Sequence, residues 1–446
     1  MAGSVFDSQI YGGLFCSGEA SRLFSDSAEV RAMLLVEGAL AKAQGKAGVI
    51  PQESAAAIGR AVVEIAVDPG VLKRPSEQNG VPVPGLVAAF REEMKAPEHA
   101  QYVHWGATSQ DIMDSALMLR LRQVLALIEE DVKAAVLSLA KLARAHAELP
   151  MAARTYGQHA TPTSFGAVAA SWGMPLLNLL EELPALRQSC LLVSLSGAAG
   201  TSSALGPRAP DVRAAMAKGL ALQDPGRNWH TDRTPVLRIA DWLLRVTLAF
   251  GKIGEDCTAL VQSGIEEIWL GGTGASSTMP QKQNPVAPSA LTALARQGSG
   301  LFSVLQGAAT HQHQRDGAAW FSEWMCLPQI VLGAASAAKT GNDLCVGLTP
   351  NSAAMATALS QGLGMIHAES LSFALAAQMP RPDAQAAVKA LCQEAQSLKI
   401  PLQDLVVRDH PGLECDILFD PARQLGHAPQ EAMQFCKAAE SLGLSS

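Results

Sequence analysis

From Ala116 to Glu148 the chain contains neither glycine nor proline, and its apolar residues fall at Leu117, Leu121, Val124, Leu125, Ile128, Val132, Val136, Leu139 and Leu142. Steps of three and four place these side chains on one stripe of a helix. At a rise of ~1.5 Å per residue that helix would be roughly 45–50 Å long. The same period recurs over about 163–193, 234–270, 286–310 and 320–345. Ahead of these, residues 26–48 read as a helix that Asp26 or Ser27 would cap and Gly48 would end. "PQESAAAIGRAVVEIA" begins another, before a Pro- and Gly-rich loop, "KRPSEQNGVPVPG". Strand-like alternation is scarce. The pattern predicts an all-α chain. Its parts would be an N-terminal helical domain over 1–105, a central bundle of five long helices over 106–348 and a C-terminal helical domain over 349–446. "GLTPNSAAM" would mark the second boundary.

Three polar islands break this pattern. "HWGATSQDIMDSA" opens the longest helix. Thr108 and Ser109 are good N-cap residues, and Asp111 in the first turn suits the helix dipole. The same helix start, with its free N–H groups and hydroxyls, is also suited to binding an anion. "ARTYGQHATPTSFG" reads as an inter-helix loop carrying Arg154, Tyr156, Gln158 and His159 with no aliphatic side chain longer than alanine. "GGTGASSTMPQKQNP" combines glycines, Ser276, Ser277, Lys282, Asn284 and two prolines. Glycines are placed where the backbone moves or is closely approached. The proline pair and the lone lysine are unlike a Gly/Ser linker, and a closing lid that carries a reactive group fits this stretch better.

Composition narrows the classes. At 446 residues, two or three domains are expected, and 48% hydrophobic residues allow a large core. Aromatics are 5%, which suits Ala- and Leu-rich helices. The net charge is -7 and no basic stripe is visible, so no nucleic-acid partner is expected. No long uncharged apolar run predicts a membrane span, and the N-terminus carries no secretory pattern. The 8 cysteines form no CxxC pair, which predicts reduced thiols, a cytoplasmic location and no zinc site. His311 and His313, two apart, are read as satisfied or solvated residues on different sides of a helix. Trp320 and Trp324 are read as core or pocket wall. No metal or organic cofactor is implied.

"SSTMPQKQNP" closely resembles the signature loop of the fumarase/aspartase superfamily, S-S-x-M-P-x-K-x-N-P. "GATSQD" is similar to that family's first motif and "RTYGQHATPTSFG" to its second, in the same order. The resemblance runs over nearly the whole chain. It implies a homotetramer whose four five-helix domains form a core of roughly twenty helices. Each active site would draw its three motifs from three chains. The implied chemistry is proton transfer α to a carboxylate through an aci-carboxylate dianion. Ser276 would be the base, with Lys282 and Asn284 gripping a carboxylate.

The second motif separates branches of the superfamily. Members that expel an amine or hydroxide commonly carry T-H-G-Q there, and the His serves the general acid. This chain has Tyr156 instead. A carboxylate, with a reference pKa near 4, leaves without a proton. The resemblance therefore points to the lactonising branch, which adds one carboxylate of 3-carboxy-cis,cis-muconate across a double bond of the same molecule. "QRDGAAWFSEWMCLPQIV" is similar to that branch as well. Arg154, Arg315, Lys282, Thr108 and Ser109 would bind the small polycarboxylate, with His104, Tyr156, Gln158 and Asn284 around it. Ser276 or His159 would deliver the proton. Gln283 stands where many relatives have Arg, which leaves a sulfonate in place of the 3-carboxylate open. Adenylosuccinate lyase-type β-elimination and a non-catalytic helical scaffold are the other readings.

Overall fold

The structure, a computed structural model, describes residues 3–272, 274, 275, 279 and 282–444. It is mostly helical. The first long helix is Asp26–Ala47. Ser25, rather than Asp26 or Ser27, caps it by accepting from the Ala28 N–H at 3.3 Å, and Gly48 ends it at φ 71°. The longest is Ser109–Ala145, 37 residues. Along it Leu121, Val124, Leu125, Ile128, Val132, Val136 and Leu139 are fully buried. Leu117 and Leu142 are only partly buried. The remaining long helices are Phe165–Cys190, Thr234–Leu260, Val286–Ala308 and Gly317–Gly347. The third of the five stops ten residues before the expected 270, because a turn and a short strand, Ile268–Trp269, follow it.

The chain forms two compact units. One comprises Met1–Asp131, Leu179–Leu248 and Ala293–Lys339; the other comprises Val132–Asn178, Ala249–Thr292 and Thr340–Ser446. In the first unit, Trp242 Nε1 donates to the Leu179 carbonyl at 2.9 Å, and Arg187 pairs with Glu129 at 2.6 Å. In the second, Trp172 Nε1 donates to Asp256 at 2.7 Å, and the Cys436 thiol donates to the Ala140 carbonyl at 3.3 Å. The C-terminal helices of this unit close on Leu371, Leu375, Leu391, Leu402, Leu405 and Val406.

The inter-helix loop expected at the second polar island needs a correction in the second unit. Residues Pro150–Thr155 and Gln158–Ser164 form an antiparallel hairpin, with Arg154 opposite His159 and Thr155 opposite Gln158. Tyr156 and Gly157 make its two-residue turn, both at positive φ, 52° and 72°. That geometry matches the right-handed twist of the paired strands. The second polar island is thus a ribbon and not an irregular loop. Two further strand pairs are short: Ile268–Trp269 with Thr349–Pro350, and Gly274–Ala275 with Gln283–Asn284. Among the described residues no helix is long and apolar enough to cross a membrane.

Candidate active site

The start of the 109–145 helix belongs to the first unit. Thr108 and Ser109 are half-buried there. Asp111 does more than offset the helix dipole. Its carboxylate is fully buried and accepts from the N–H groups of Thr108, Ser196 and Gly197 at 3.0, 2.8 and 2.9 Å. The Ser194 hydroxyl and His230 Nε2 also approach it, at 3.1 and 2.8 Å. The cap therefore ties the helix start to the 194–197 segment and to His230, and the Thr108 N–H is not free for an external anion.

One residue before it, Gln110 is also fully buried. Its Nε2 donates to the His230 carbonyl at 2.8 Å and to Asp114 Oδ2 at 3.2 Å, while Oε1 accepts from Arg315 Nε at 3.0 Å. Arg315 is exposed and also donates to the Ala198 carbonyl at 3.3 Å. Asp114 in turn makes a two-pronged pair with Arg233 at 2.8 and 3.0 Å, and Glu323 pairs with the same guanidinium at 2.6 and 2.9 Å. Burial alone would lower the Arg233 pKa, but the two carboxylates outweigh it and hold the group well above its ordinary value. Breaking such a buried pair typically costs ~3–5 kcal/mol, because it strands a charge. Sequence reasoning missed Asp111's buried role, Gln110, His230, Arg233 and Glu323. The available signal was a lone charge within an apolar run, as at Asp114 and Glu323.

His104 sits just ahead of this helix with φ 64°. Its Nδ1 lies 2.7 Å from Glu37 Oε1, and its N–H donates to Glu37 Oε2 at 3.1 Å. Burial would lower its pKa, yet the hydrogen bond and charge of Glu37 raise it above the ordinary histidine value. His104 is thus anchored by one ring nitrogen. Nearby in the same unit, Trp320 and Trp324 wall a cavity of about 260 Å³ with Phe24, Leu117 and Arg120. They are pocket wall, as expected.

The second unit holds the other predicted residues. Tyr156, Gln158 and His159 are exposed at the hairpin tip, and Tyr156 is 104% exposed. Arg154 NH1 pairs with Glu267 at 2.6 Å, and Glu267 is fully buried. Its charge already has a carboxylate partner. In the third island, Gly274 pairs with Asn284 and Ala275 with Gln283, so the two ends of the loop are joined at a neck. Lys282 is exposed beside that neck, with its N–H donating to the Met279 carbonyl at 3.0 Å. Gly271 provides close approach: a Cβ there would meet Gly347 Cα at 2.8 Å. Ser276 and Ser277 lie outside the described residues.

His311 and His313 lie in the connector after the 286–308 helix and not on a helix. Among the described residues neither buried ring nitrogen of His311 has a hydrogen-bond partner, and burial lowers its pKa. Among the described residues no group of His, Cys, Asp and Glu is placed to hold a metal ion. The cysteines are all free thiols. Burial pushes Cys345 up to about 12 and Cys257 in the same direction, so neither supplies a thiolate at neutral pH. A cavity of about 630 Å³ in the second unit is lined by Pro150, Leu359, His367, Phe419 and Pro421, with none of the predicted site residues.

Comparison with known proteins fits this geometry to a family. A family model described as "Lyase" matches residues 18–300. The 3-carboxy-cis,cis-muconate cycloisomerase of Pseudomonas aeruginosa is 36% identical over 431 residues, covering 94% of each chain. A nitrosuccinate lyase of Streptomyces davaonensis is 33% identical over 445 residues, covering 96% of this chain and 94% of the relative. The crystal structure of 3-carboxy-cis,cis-muconate lactonizing enzyme from Pseudomonas putida superposes with a TM-score of 0.91 at 32% identity, covering 98% of this chain and all of that one. The chain belongs to this lyase family, within the fumarase/aspartase superfamily.

Proposed function

We propose that the chain is a cycloisomerase that lactonises 3-carboxy-cis,cis-muconate to 4-carboxymuconolactone. The observation that carries this reading is the full-length likeness to muconate cycloisomerases, together with Tyr156 where a leaving-group acid would stand. No proton has to be supplied to a departing carboxylate, so read backwards the reaction is a β-elimination of an anion.

In the forward direction, binding folds the diene so that one carboxylate lies against an alkene carbon of the same molecule. A C–O bond forms, and the electron pair of the double bond moves into a neighbouring carboxylate as an aci-carboxylate. Lys282 and Asn284 stabilise that charge, and Ser276 or His159 delivers a proton to carbon. Much of the acceleration is orientation, because attack is intramolecular. Three carboxylates enter and two leave with a lactone, so each turnover takes up one proton. Arg315 supplies the main carboxylate anchor near Thr108 and Ser109, and His104 contributes its second ring nitrogen. Arg154, already paired with Glu267, orients the hairpin that carries Tyr156, Gln158 and His159.

The exposed hairpin tip supports a site shared among chains. Tyr156, fully open within its own chain, is accessible to a site completed by a neighbouring chain. The proposed assembly is a homotetramer with a core of roughly twenty helices. Each chain would comprise an N-terminal helical domain over 1–105, a central helical-bundle domain over 106–348 and a C-terminal helical domain over 349–446. Nitrosuccinate is the second reading, motivated by the Streptomyces relative. The test is to offer purified protein 3-carboxy-cis,cis-muconate, nitrosuccinate and adenylosuccinate separately, without cofactor. Loss of the diene absorbance with one proton consumed per molecule supports lactonisation. Turnover of either other substrate alone replaces it.

A further inference from the structure

Gln110 is fully enclosed and has no contact with solvent. A glutamine amide has a donor end and an acceptor end, and its orientation is fixed by what the donor end finds. Here the donor end meets only acceptors, the His230 carbonyl at 2.8 Å and Asp114 Oδ2 at 3.2 Å. Asp114 is itself held by Arg233 at 2.8 and 3.0 Å. The amide cannot flip without setting oxygen against oxygen. Its Oε1 is therefore obliged to point toward Arg315 Nε, 3.0 Å away.

The consequence lies in the charge. Among the described residues the two hydrogen-bond partners of Arg315, Gln110 Oε1 and the Ala198 carbonyl, are both neutral. The adjacent carboxylate, Asp316, is occupied with the N–H groups of Gln312, Ala318 and Ala319. Arg154, in contrast, has a buried carboxylate at 2.6 Å. We propose that Gln110 is a positioning residue that holds the Arg315 guanidinium in one orientation while leaving its charge uncompensated, so that Arg315 is the anchor for a substrate carboxylate. An acidic residue at 110 would orient the guanidinium equally well but neutralise it. This inference rests on the polycarboxylate reading of the site.

The test is a double-mutant cycle with Gln110→Met, Arg315→Met and the pair, read as calorimetric Kd for tricarballylate, a saturated tricarboxylate that cannot lactonise. Gln110→Met should weaken binding roughly tenfold, the scale of one charge-assisted hydrogen bond. In the Arg315→Met background it should change nothing further. A tenfold loss that persists in that background, an unchanged Kd for Gln110→Met alone, or no binding by the wild type would each overturn the proposal. Should Gln110→Met fail to fold, Gln110→Glu takes its place: weaker binding with a flatter salt dependence is expected, and an unaltered Kd overturns it. Wild-type protein that shows the predicted cycle but leaves the muconate diene intact refutes lactonisation and not this role. Lactonisation with an additive cycle does the reverse.

Discussion

Arg154 and Arg315 carry the same charge into opposite surroundings. The first faces a buried carboxylate and the second faces two neutral oxygens. Coulomb attraction to an incoming anion is largest where no counter-charge has to be displaced. Tyr156 poses a separate question, since it occupies a left-handed position that favours Asn or Gly. A tyrosine kept there against backbone preference is held for something other than the turn. Tyr156→Asn should therefore stabilise the hairpin by up to ~1 kcal/mol, since Asn tolerates the left-handed region better. Turnover should fall at the same time. Thermal melts and initial rates on one preparation decide it: equal or higher turnover in the variant would remove Tyr156 from the site.

At the scale of elements, the loop that carries Ser276 is held at both roots. Its neck is the pairing of Gly274 with Asn284 and Ala275 with Gln283, and Gly271 packs backbone to backbone on Gly347. Adding a methyl group at 271 pushes the loop root off the end of the 317–347 helix. Gly271→Ala should cost ~1–3 kcal/mol, as overpacking typically does. It should also lower kcat with a smaller change in KM, as displacement of the Ser276 hydroxyl would. A variant that melts and turns over as the wild type does would show the contact to be dispensable. The long helices were legible because a 3.6-residue period persists over many turns. The hairpin was not: its strands carry Ala152, Ala153, Ala160, Pro150 and Pro162 where alternating Val, Ile or aromatic residues would announce a strand, its turn is Tyr-Gly instead of Asn-Gly, and a register shift between Ala152 and Arg154 interrupts the alternation. The Arg233 network was hidden for another reason. Its carboxylates lie 119 and 90 residues away in sequence, and nothing local announces such a pairing. The three motifs were visible as residue types, but their partners were not. Asp111 read as a first-turn charge that suits the helix dipole and is in addition a buried junction, while nothing in the sequence signalled that Arg154 pairs with Glu267.

At the scale of the whole molecule, the long helices leave large apolar side chains in the open: Leu248, Val304, Met325 and Val346 are 43%, 54%, 69% and 68% exposed. Association of chains, as proposed above, would cover such side chains. If three chains build each site, Ser276→Ala and Arg315→Met should complement one another. After dissociation and random reassembly, about a quarter of wild-type turnover should return, because each site needs one intact copy of both motifs. No recovery would mean that both residues serve a site within one chain. The most direct measurement is the ultraviolet trace of 3-carboxy-cis,cis-muconate with wild type and Ser276→Ala side by side in weak buffer. The account predicts cofactor-free loss of the diene with matching proton uptake by the wild type, and a rate lower by orders of magnitude in a folded Ser276→Ala. A wild type that leaves the diene intact, or a variant that consumes it at the same rate, would contradict it.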